Sequence, residues 1–262
     1  MLTSERQRLI REEAIKNGEV SIADMAKKFS VSIETIRRDI NIMCEKNLIK
    51  KVHGGAIPMQ FPIREDAYDI RCSRHKSEKL SICDYIARNM VNDNESIAMS
   101  SGSTMEMLAD MMTGRNLIIV TNSINVASIL QSRIRQNAIS GEVIILGGEI
   151  HPEERYTSGA ITVEMLKKFT FSKAFFSASA VSGRDLMVSN MDEGIVISTM
   201  IKHSQFSCAA VDSSKFDLRS TYTYADLAEV DAIVTEGSAE LSEDMANNFK
   251  ITNIDWHKAT IL

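Results

Sequence analysis

Basic side chains near the start of the chain have the type and spacing that contact with phosphate groups requires. Arg37 and Arg38 are adjacent, and the run KKVH at 50–53 follows them closely. Residues 1–57 hold eleven Lys and Arg against eight Asp and Glu, a local charge of +3, although the whole chain has a formal net charge of −5. Because nucleic-acid affinity comes largely from neutralised phosphates, the local charge matters more than the total. The pattern predicts a nucleic-acid contact.

A glycine-centred loop further along the chain could bind a small anion. In SSGST, residues 100–104, Gly102 permits a sharp turn, and Ser103 and Thr104 supply hydroxyl groups at the start of a predicted helix. Backbone N–H groups and the helix dipole attract phosphate at such a position. The loop lacks the lysine of a full P-loop, so a plain strand-to-helix turn with Ser and Gly as capping residues is the alternative.

Three short helices and a hairpin would position the basic residues. The first helix is predicted at about 4–16, the second begins at Ser21, and the third is capped by Ser32. The apolar stripe of the third helix, at spacings of three and four, consists of Ile33, Ile36, Ile40 and Met43. Only two residues separate the second and third helices, which indicates a helix-turn-helix. In LIKKVHGGAIP, the alternation and the turn at Gly54-Gly55 predict a β-hairpin wing.

The remainder of the chain has the pattern of an α/β domain. A segment at 59–76 without a sustained apolar period is predicted as a linker, and an amphipathic helix capped by Ser77 follows it. Short apolar runs then alternate with helical patterns, which predicts a parallel sheet. The predicted strands are SIAMS at 96–100, LIIVTN at 117–122, EVIILGG at 142–148, AFFSAS, FSCAAVD and DAIVT. Ligands of such sheets bind at the carboxyl ends of strands, where the loops 100–104, 121–123 and 147–148 fall.

The stretches VSIETIRRDI and LIKKVHGGA, together with SSGST, VTNS, LGG and DSSKF, resemble the DeoR family of bacterial transcription regulators. The resemblance covers nearly the whole chain, and TIRRD followed by VHGGA is its most specific part. It implies a winged helix-turn-helix DNA-binding domain at 1–58, with the helix-turn-helix near 20–39, and an effector and oligomerisation domain at 77–262. The second domain is expected to be Rossmann-like and similar to ribose-5-phosphate isomerase and glucosamine-6-phosphate deaminase.

Two sets of binding residues follow from the pattern and the resemblance together. The residues expected at the DNA are Ser32, Thr35, Arg37, Arg38, Lys50, Lys51 and His53. The residues expected to bind an effector, a phosphorylated sugar or a similar metabolite, are Ser100, Gly102, Ser103, Thr104, Thr121, Asn122, Gly147, Gly148, Glu193 and Lys215.

The second half departs from the family pattern at several positions. Ser100 stands where members commonly have Asp, Ser103 where a Thr is usual, and residues 176–178 read Phe-Ser-Ala in place of Phe-x-Gly. Ile197 stands where a Lys often follows Glu193 by four residues. The loss of an Asp and a Lys removes groups that hydrogen-bond sugar hydroxyls and carry protons. These departures argue against catalysis and for an atypical or weakly bound effector.

The composition indicates an ordinary cytoplasmic protein. No stretch approaches the roughly 20 apolar residues of a membrane span, and the N-terminus lacks a signal-peptide pattern. Four Cys and five His are scattered without metal-ligand spacing. We therefore expect reduced structural thiols, no metal and no cofactor.

The sequence thus predicts a DNA-binding transcription regulator, a repressor of a carbohydrate-metabolism operon, controlled by a phosphorylated metabolite. A single winged domain contacts too little DNA for strong selectivity, so we expect a homo-oligomer, a dimer or tetramer, on a double-stranded operator. Two alternatives stay open. One is a sugar-phosphate isomerase or deaminase-like enzyme, for which Glu193 and Asp212 are the matched carboxylates. The other is a regulator whose pocket has become a protein-interaction domain.

Overall fold

The chain divides into two units, Met1–Ile63 and Arg64–Leu262. They are described from a computed structural model that covers residues 2–17, 19–45, 48–52, 54–58, 67–252 and 255–259. The division falls inside the range 59–76 that the sequence predicts as a linker.

The first unit is a winged helix-turn-helix. Its elements are α1 (Thr3–Asn17), β1 (Val20–Ser21), α2 (Ile22–Phe29), α3 (Ile33–Glu45), β2 (Ile49–Val52) and β3 (Gly55–Pro58). The strands pair antiparallel in the order β1-β3-β2. A small core of apolar side chains from all three helices and the sheet holds the unit together. The core includes Ile10, Ala14, Met25, Ile36, Ile40, Met43 and Ile49.

Local sequence explains the tight turn between α2 and α3. The Ser21 hydroxyl accepts a hydrogen bond from the Asp24 N–H at 3.4 Å and begins α2. Ser30 ends that helix in the left-handed conformation, with φ of 54°. The Ser32 hydroxyl then accepts from the Thr35 N–H at 3.1 Å. Both serine caps expected from the sequence are confirmed, and they fix the start of each helix.

The apolar stripe predicted for α3 is wrong at one position. Ile36, Ile40 and Met43 are fully buried, whereas 48% of Ile33 is exposed. Ile33 is the first residue of the helix, and α3 contributes to the core only through its later turns. The first residue therefore stays at the surface although the helical spacing assigns it to the core.

The second unit is an α/β domain. Its helices are α4 (Tyr68–Ser73), α5 (Lys76–Asn89), α6 (Ser103–Met111), α7 (Ile124–Arg135), α8 (Ala160–Leu166), α9 (Met191–Lys202) and α10 (Glu243–Thr252). Its strands are β4 (Ser96–Met99), β5 (Gly114–Thr121), β6 (Ile139–Ile145), β7 (Glu149–His151), β8 (Tyr156–Ser158), β9 (Phe171–Phe176), β10 (Ala180–Ser182), β11 (Asp185–Val188), β12 (Ser204–Ala210), β13 (Tyr222–Asp226), β14 (Ala232–Glu236) and β15 (Asp255–Ala259).

Seven parallel strands form the central sheet in the order β15-β14-β12-β9-β4-β5-β6. The strand order reverses between β4 and β9, so the loops after these two strands meet at one edge. Apolar side chains cover both faces, because Ala174 and Phe176 of β9 enter one core cluster and Phe175 enters the other. The fold class predicted from the sequence, a winged helix-turn-helix followed by a Rossmann-like parallel sheet, is confirmed.

Helix α4 lies inside the range 59–76 predicted as a linker. Residues 59–66 lie outside the described residues, but Tyr68 is buried in the second unit. The Tyr68 hydroxyl donates to the Glu106 carboxylate of α6 and accepts from Asn125 Nδ2 of α7 at 2.9 Å. These bonds attach α4 to the second unit, a feature that the polar composition of the segment does not reveal.

The helix after α4 begins one residue before its predicted cap. Helix α5 starts at Lys76, and the Ser77 hydroxyl donates to Glu78 Oε2 at 2.8 Å instead of capping the first turn. His75 precedes the helix with φ of 52°, which redirects the chain between α4 and α5. The predicted Ser77 cap is therefore wrong.

The described part of the chain contains no helix that is both long and apolar enough to cross a bilayer. It also contains no cluster of three or more His, Cys, Asp or Glu that could hold a metal ion. The four cysteines are thiols. Burial raises the pKa of Cys83 to about 12, so this thiol stays protonated and unreactive near neutral pH.

Candidate functional site

Helix α3 presents a polar face to solvent. The Ser32 and Thr35 hydroxyls lie 2.8 Å apart, and Arg37 Nη1 donates to Glu34 Oε2 at 3.2 Å. Arg38 is exposed and makes no ion pair or hydrogen bond within the part of the chain that the structure describes. Its guanidinium is therefore available to an external acceptor, such as the edge of a guanine.

The β2–β3 wing carries two lysines beside α3. Lys51 Nζ donates to Asn41 Oδ1 of α3 at 3.1 Å, and Lys50 is exposed. A Cβ at Gly55 would lie 2.1 Å from the Val20 carbonyl oxygen, so only glycine allows β1 and β3 to approach here. The predicted contact residue His53 lies outside the described residues.

A buried ion pair attaches α3 to α1. Arg6 Nε lies 2.6 Å from Asp39 Oδ2, and Gln7 Nε2 donates to Asp39 Oδ1 at 3.1 Å. The side chains of Arg6 and Asp39 are only 8% and 3% exposed. Asp39, the acidic residue of TIRRD, therefore faces the interior and fixes the orientation of α3 about its own axis. This orientation leaves the preceding Arg38 exposed.

A cleft opens in the second unit at the carboxyl ends of β4 and β9. This position is the switch point of the sheet, where the strand order reverses, and ligands of α/β sheets bind at such points. The lining residues come from five separate parts of the chain. They are Arg71, Lys79, Ser101, Gly102, Ser103, Thr104, Ser177, Ala178, Ser179, Val188, Glu193, Asp212 and Lys215.

A buried lysine lies at the N-terminal end of α6 in this cleft. Lys79 is 4% exposed, and its Nζ donates to Ser103 Oγ at 2.9 Å and to the Arg71 carbonyl. Burial lowers the pKa of Lys79, although the nearby Asp212 carboxylate acts in the opposite direction. Arg71 adds a second cation and pairs with Glu154.

The first turn of α6 supplies backbone donors to the same cleft. Gly102 precedes the helix with φ of 111°, and no side chain caps this end within the described residues. A Cβ at Gly102 would meet no protein atom within 4 Å, so the backbone here faces open space. An uncapped helix N-terminus beside a buried lysine is an anion-binding arrangement.

The other side of the cleft carries two carboxylates. The Ser101 hydroxyl donates to Glu193 Oε1 at 3.1 Å, and Asp212 accepts from the Ser214 N–H at 3.2 Å. Lys215 follows in the same short turn. The cleft thus combines cations with hydrogen-bond acceptors, a set that suits a polar ligand with both an anionic group and hydroxyl groups.

Comparison with known proteins identifies both units. The profile described as the DeoR C terminal sensor domain matches residues 74–237, and the profile of the DeoR-like helix-turn-helix domain matches residues 6–60. The chain belongs to the DeoR family. An HTH-type transcriptional regulator of Staphylococcus epidermidis is 31% identical, over 82% of this chain and 84% of that protein.

Two further relatives carry more specific names. A lactose phosphotransferase system repressor of S. epidermidis is 29% identical, over 85% of this chain and 88% of that protein. The transcriptional repressor GlcR of Bacillus subtilis is 26% identical, over 90% and 89%. Among solved structures, ribose 5-phosphate isomerase from Methanocaldococcus jannaschii covers 54% of each chain at 14% identity and a TM-score of 0.35. That last likeness is too weak to indicate a shared activity.

The DeoR-type sensor cleft contains about half of the effector residues expected from the sequence. Gly102, Ser103, Thr104, Glu193 and Lys215 line it. The remaining five do not: Ser100, Thr121, Asn122, Gly147 and Gly148.

The five residues outside the lining hold the framework of the DeoR-type sensor. The N–H of the buried Ser100 donates to the Phe175 carbonyl, and Asn122 Nδ2 donates to the Thr157 carbonyl at 2.8 Å. Thr121 is fully buried. The Gly147 carbonyl accepts from the Thr162 hydroxyl at 2.7 Å. Thr121, Asn122, Gly147 and Gly148 lie at or after the ends of β5 and β6, away from the switch point between β4 and β9. Ser100 directly follows β4, but it is buried.

Several lining residues of the DeoR-type cleft were not expected from the sequence. Arg71 lies in the segment predicted as a linker, and Ser177 and Ser179 lie in the loop after β9. Lys79 is the residue for which a signal existed. It shares one face of α5 with the buried Ile82, Cys83 and Ile86. Lysine is rarely buried unless its charge has a partner, so a lysine on an apolar helix face indicates a specific partner or ligand.

Proposed function

We propose that this chain represses a carbohydrate-metabolism operon, that it binds operator DNA through α3 and the β2–β3 wing, and that a phosphorylated sugar in the cleft controls this binding. The observation that carries the proposal is Lys79, buried at the uncapped N-terminus of α6. The names of the two repressor relatives support a sugar-responsive role.

The DNA-binding half rests on the exposed cations of the first unit. In a helix-turn-helix the second helix enters the major groove, and residues of its first turns contact base edges. Here that helix is α3, which carries Arg37 and Arg38 on its outer side. Lys50 and Lys51 on the wing are exposed, and in this proposal they contact the phosphate backbone. Such exposed lysines strengthen binding to all sequences by neutralising phosphates.

The effector half rests on the charge of the cleft. Lys79 is buried and has lost most of its hydration in the folded protein. The desolvation of this positive charge therefore occurs on folding and not on binding, and a bound anion can neutralise it. Hydroxyls of Ser103 and Thr104 and the first N–H groups of α6 add donors for phosphate oxygens. The carboxylates of Glu193 and Asp212 can accept hydrogen bonds from sugar hydroxyls, and the Ser179 hydroxyl can donate or accept.

Control of DNA binding requires a connection between the cleft and the first unit. Arg71 lies on α4, and α4 follows directly after the segment that joins the two units. We propose that a ligand phosphate competes with Glu154 for Arg71, shifts α4, and so alters how two copies of the chain present their DNA-binding units to an operator. A ligand acts in this way only through its different affinity for the two arrangements.

The test uses the full chain and a duplex of high affinity selected by it from a random pool, called the selected duplex below. Fluorescence anisotropy measures binding in the presence of hexose phosphates, pentose phosphates, their parent sugars and inorganic phosphate. We expect at least one sugar phosphate, and neither its parent sugar nor inorganic phosphate, to release the duplex. No release by any member of the panel would contradict the effector proposal. Turnover of a sugar phosphate in the same samples would favour the enzyme alternative.

Two glycine variants provide a matched comparison. Gly102→Val places a branched side chain in the cleft at φ of 111°, and Gly159→Val introduces similar strain before α8 at φ of 90°, also with no protein atom within 4 Å. We expect Gly102→Val to abolish the response to sugar phosphate and Gly159→Val to retain it. Circular dichroism confirms that both variants are folded. Equal loss in both variants would assign the effect to backbone strain.

A further inference from the structure

An isoleucine at the start of the recognition helix is exposed to solvent. Ile33 is the first residue of α3 and is 48% exposed, whereas Ile36 and Ile40 on the same helix are fully buried. Ile33 therefore contributes little to the core of the first unit. Its neighbours in sequence, Ser32 and Glu34, are polar and exposed, so Ile33 adds apolar surface to a polar stretch of the helix.

The polar groups around Ile33 are hydrogen-bonded to one another. The hydroxyls of Ser32 and Thr35 lie 2.8 Å apart, and Arg37 Nη1 donates to Glu34 Oε2 at 3.2 Å. Arg37 lies four residues after Ile33, so the two side chains are neighbours on the helix surface. Ile33 thus forms an apolar spot on the side of α3 that also carries Arg37.

We propose that Ile33 is a specificity-determining residue that contacts the 5-methyl group of a thymine in the major groove. Residues in the first turn of a recognition helix contact base edges. On the major-groove edge, the thymine methyl is the apolar group that distinguishes a T·A pair, and apolar side chains read it. The inference rests on the proposed DNA-binding function and assigns one element of its sequence preference.

The experiment removes the methyl group from the DNA and the side chain from the protein. Each thymine of the selected duplex is replaced in turn by deoxyuridine, which lacks only the methyl. Burial of one methyl group is worth about 0.8 kcal/mol, or about four-fold in Kd. For the unmodified protein, we expect replacement of one particular thymine in each half-site to weaken binding about four-fold. Ile33→Ala changes every copy of the chain, so it should bind the unmodified duplex about four-fold more weakly for each half-site contacted. It should lose no further affinity on replacement of that thymine.

Three controls keep the result specific. Ile33→Val retains branched methyl groups and should still distinguish thymine from uracil at the same position. Ile161→Ala changes an isoleucine that is 66% exposed on α8, and it should leave the discrimination unchanged. Thermal unfolding confirms that Ile33→Ala is folded, which its exposure leads us to expect.

The outcomes separate the inference from the function on which it rests. If the chain selects no duplex from the pool, both are overturned. If it selects a duplex but no thymine is sensitive to loss of its methyl, only the role of Ile33 is overturned. If the losses of binding free energy from Ile33→Ala and from deoxyuridine are additive at every thymine position, Ile33 does not contact a thymine methyl. That outcome would also overturn the inference.

Discussion

The two units expose their cations in opposite ways. On the first unit, Arg38 and Lys50 extend into solvent without partners in the described part of the chain. In the cleft of the second unit, Lys79 is 4% exposed and already donates to Ser103 and to a backbone carbonyl. Long mobile cations suit a polyanion with many equivalent phosphates, whereas a fixed, desolvated cation suits one small anion in one orientation.

The contrast has a measurable form. Exposed cations release counterions when they bind DNA, so their contribution falls steeply as salt rises. Interactions of a buried cation are screened much less, but its protonation state becomes sensitive to pH. Binding of DNA should therefore depend mainly on salt, and binding of a sugar phosphate should depend mainly on pH. The predictions below test this difference.

The largest effect is expected from Arg6, a buried cation of the first unit. Asp39→Ala leaves Arg6 buried without its partner, which typically costs about 3–5 kcal/mol of unfolding free energy. Urea unfolding of the full chain, followed by circular dichroism, should show the loss in the transition of the first unit. The exposed pair Arg37–Glu34 provides the control, because Glu34→Ala should cost about 1 kcal/mol or less.

A double variant checks the cause of that loss. Arg6→Leu combined with Asp39→Leu replaces the pair with apolar side chains and should recover most of the stability, since buried ion pairs contribute little over well-packed apolar groups. A double variant as unstable as Asp39→Ala would show that the pair stabilises by more than charge compensation.

The second effect concerns Lys79. Lys79→Met keeps the length of the side chain and removes its charge, and a hydrogen bond to a charged group is worth about 1.5–3 kcal/mol. We expect the sugar phosphate that releases the selected duplex to bind about 10- to 100-fold more weakly, as measured by isothermal titration calorimetry. Lys167→Met, at an exposed lysine paired with Glu164, should leave the affinity unchanged. Unaltered binding to Lys79→Met would remove the lysine from the effector site.

The third effect tests Arg38 as a base reader. If its guanidinium contacts a guanine, Arg38→Ala should lose about 1–3 kcal/mol of discrimination between the selected duplex and random DNA. Arg8→Ala removes a half-exposed arginine that pairs with Glu12 on α1, and it should preserve that ratio. An equal loss on selected and random duplexes would reassign Arg38 to the phosphate backbone.

The fourth effect is the pH dependence of effector binding. Burial lowers the pKa of Lys79 in the free cleft, and a bound phosphate would favour the charged lysine and raise that pKa again. Binding should therefore take up a proton, and affinity should be highest below the lowered pKa and fall as pH rises through it, by at most about ten-fold per pH unit. Measurements start above the second phosphate pKa of about 6, so that the ligand charge is constant. The Lys79→Met variant should lack this dependence.

The smallest effect concerns the wing. Lys50→Ala and Lys51→Ala should each weaken binding to all duplexes and reduce the slope of log affinity against log salt by about one. Lys51 contacts Asn41, whereas Lys50 extends freely among the described residues, so the two variants also show whether the contact with α3 alters the contribution. A change in the preference for the selected duplex would indicate base contact instead.

Sequence patterns predict features that depend on neighbouring residues. The Ser32 cap, the short turn before α3 and the loop at Gly102–Thr104 follow from spacings of a few residues, and the structure contains all three. Periodicity also locates every strand predicted for the central sheet. It fails at Ile33, because helical spacing cannot show where a helix leaves the core.

Features that join distant parts of the chain are not predictable in this way. Asp39 reads as part of a polar helix until Arg6 is placed beside it, 33 residues earlier. Arg71 reads as linker, and its place in the cleft depends on the anchoring of Tyr68 by α6 and α7. The loops after β5 and β6 resemble ligand loops in sequence, but the strand order assigns the cleft to β4 and β9.

The residues that line the cleft are spread along the chain from Arg71 to Lys215, which has a consequence for synthesis on the ribosome. Among the described residues, the core of the first unit extends from Ile10 to Ala56, and the unit ends at Ile63, so its parts are complete once residue 63 has been made. Lys215 follows 152 residues later, which at typical rates of translation is roughly 8–30 s. Each new copy is therefore able to assemble its DNA-binding unit well before it can form a sensor. For that interval, the cleft that we propose binds a sugar phosphate is incomplete.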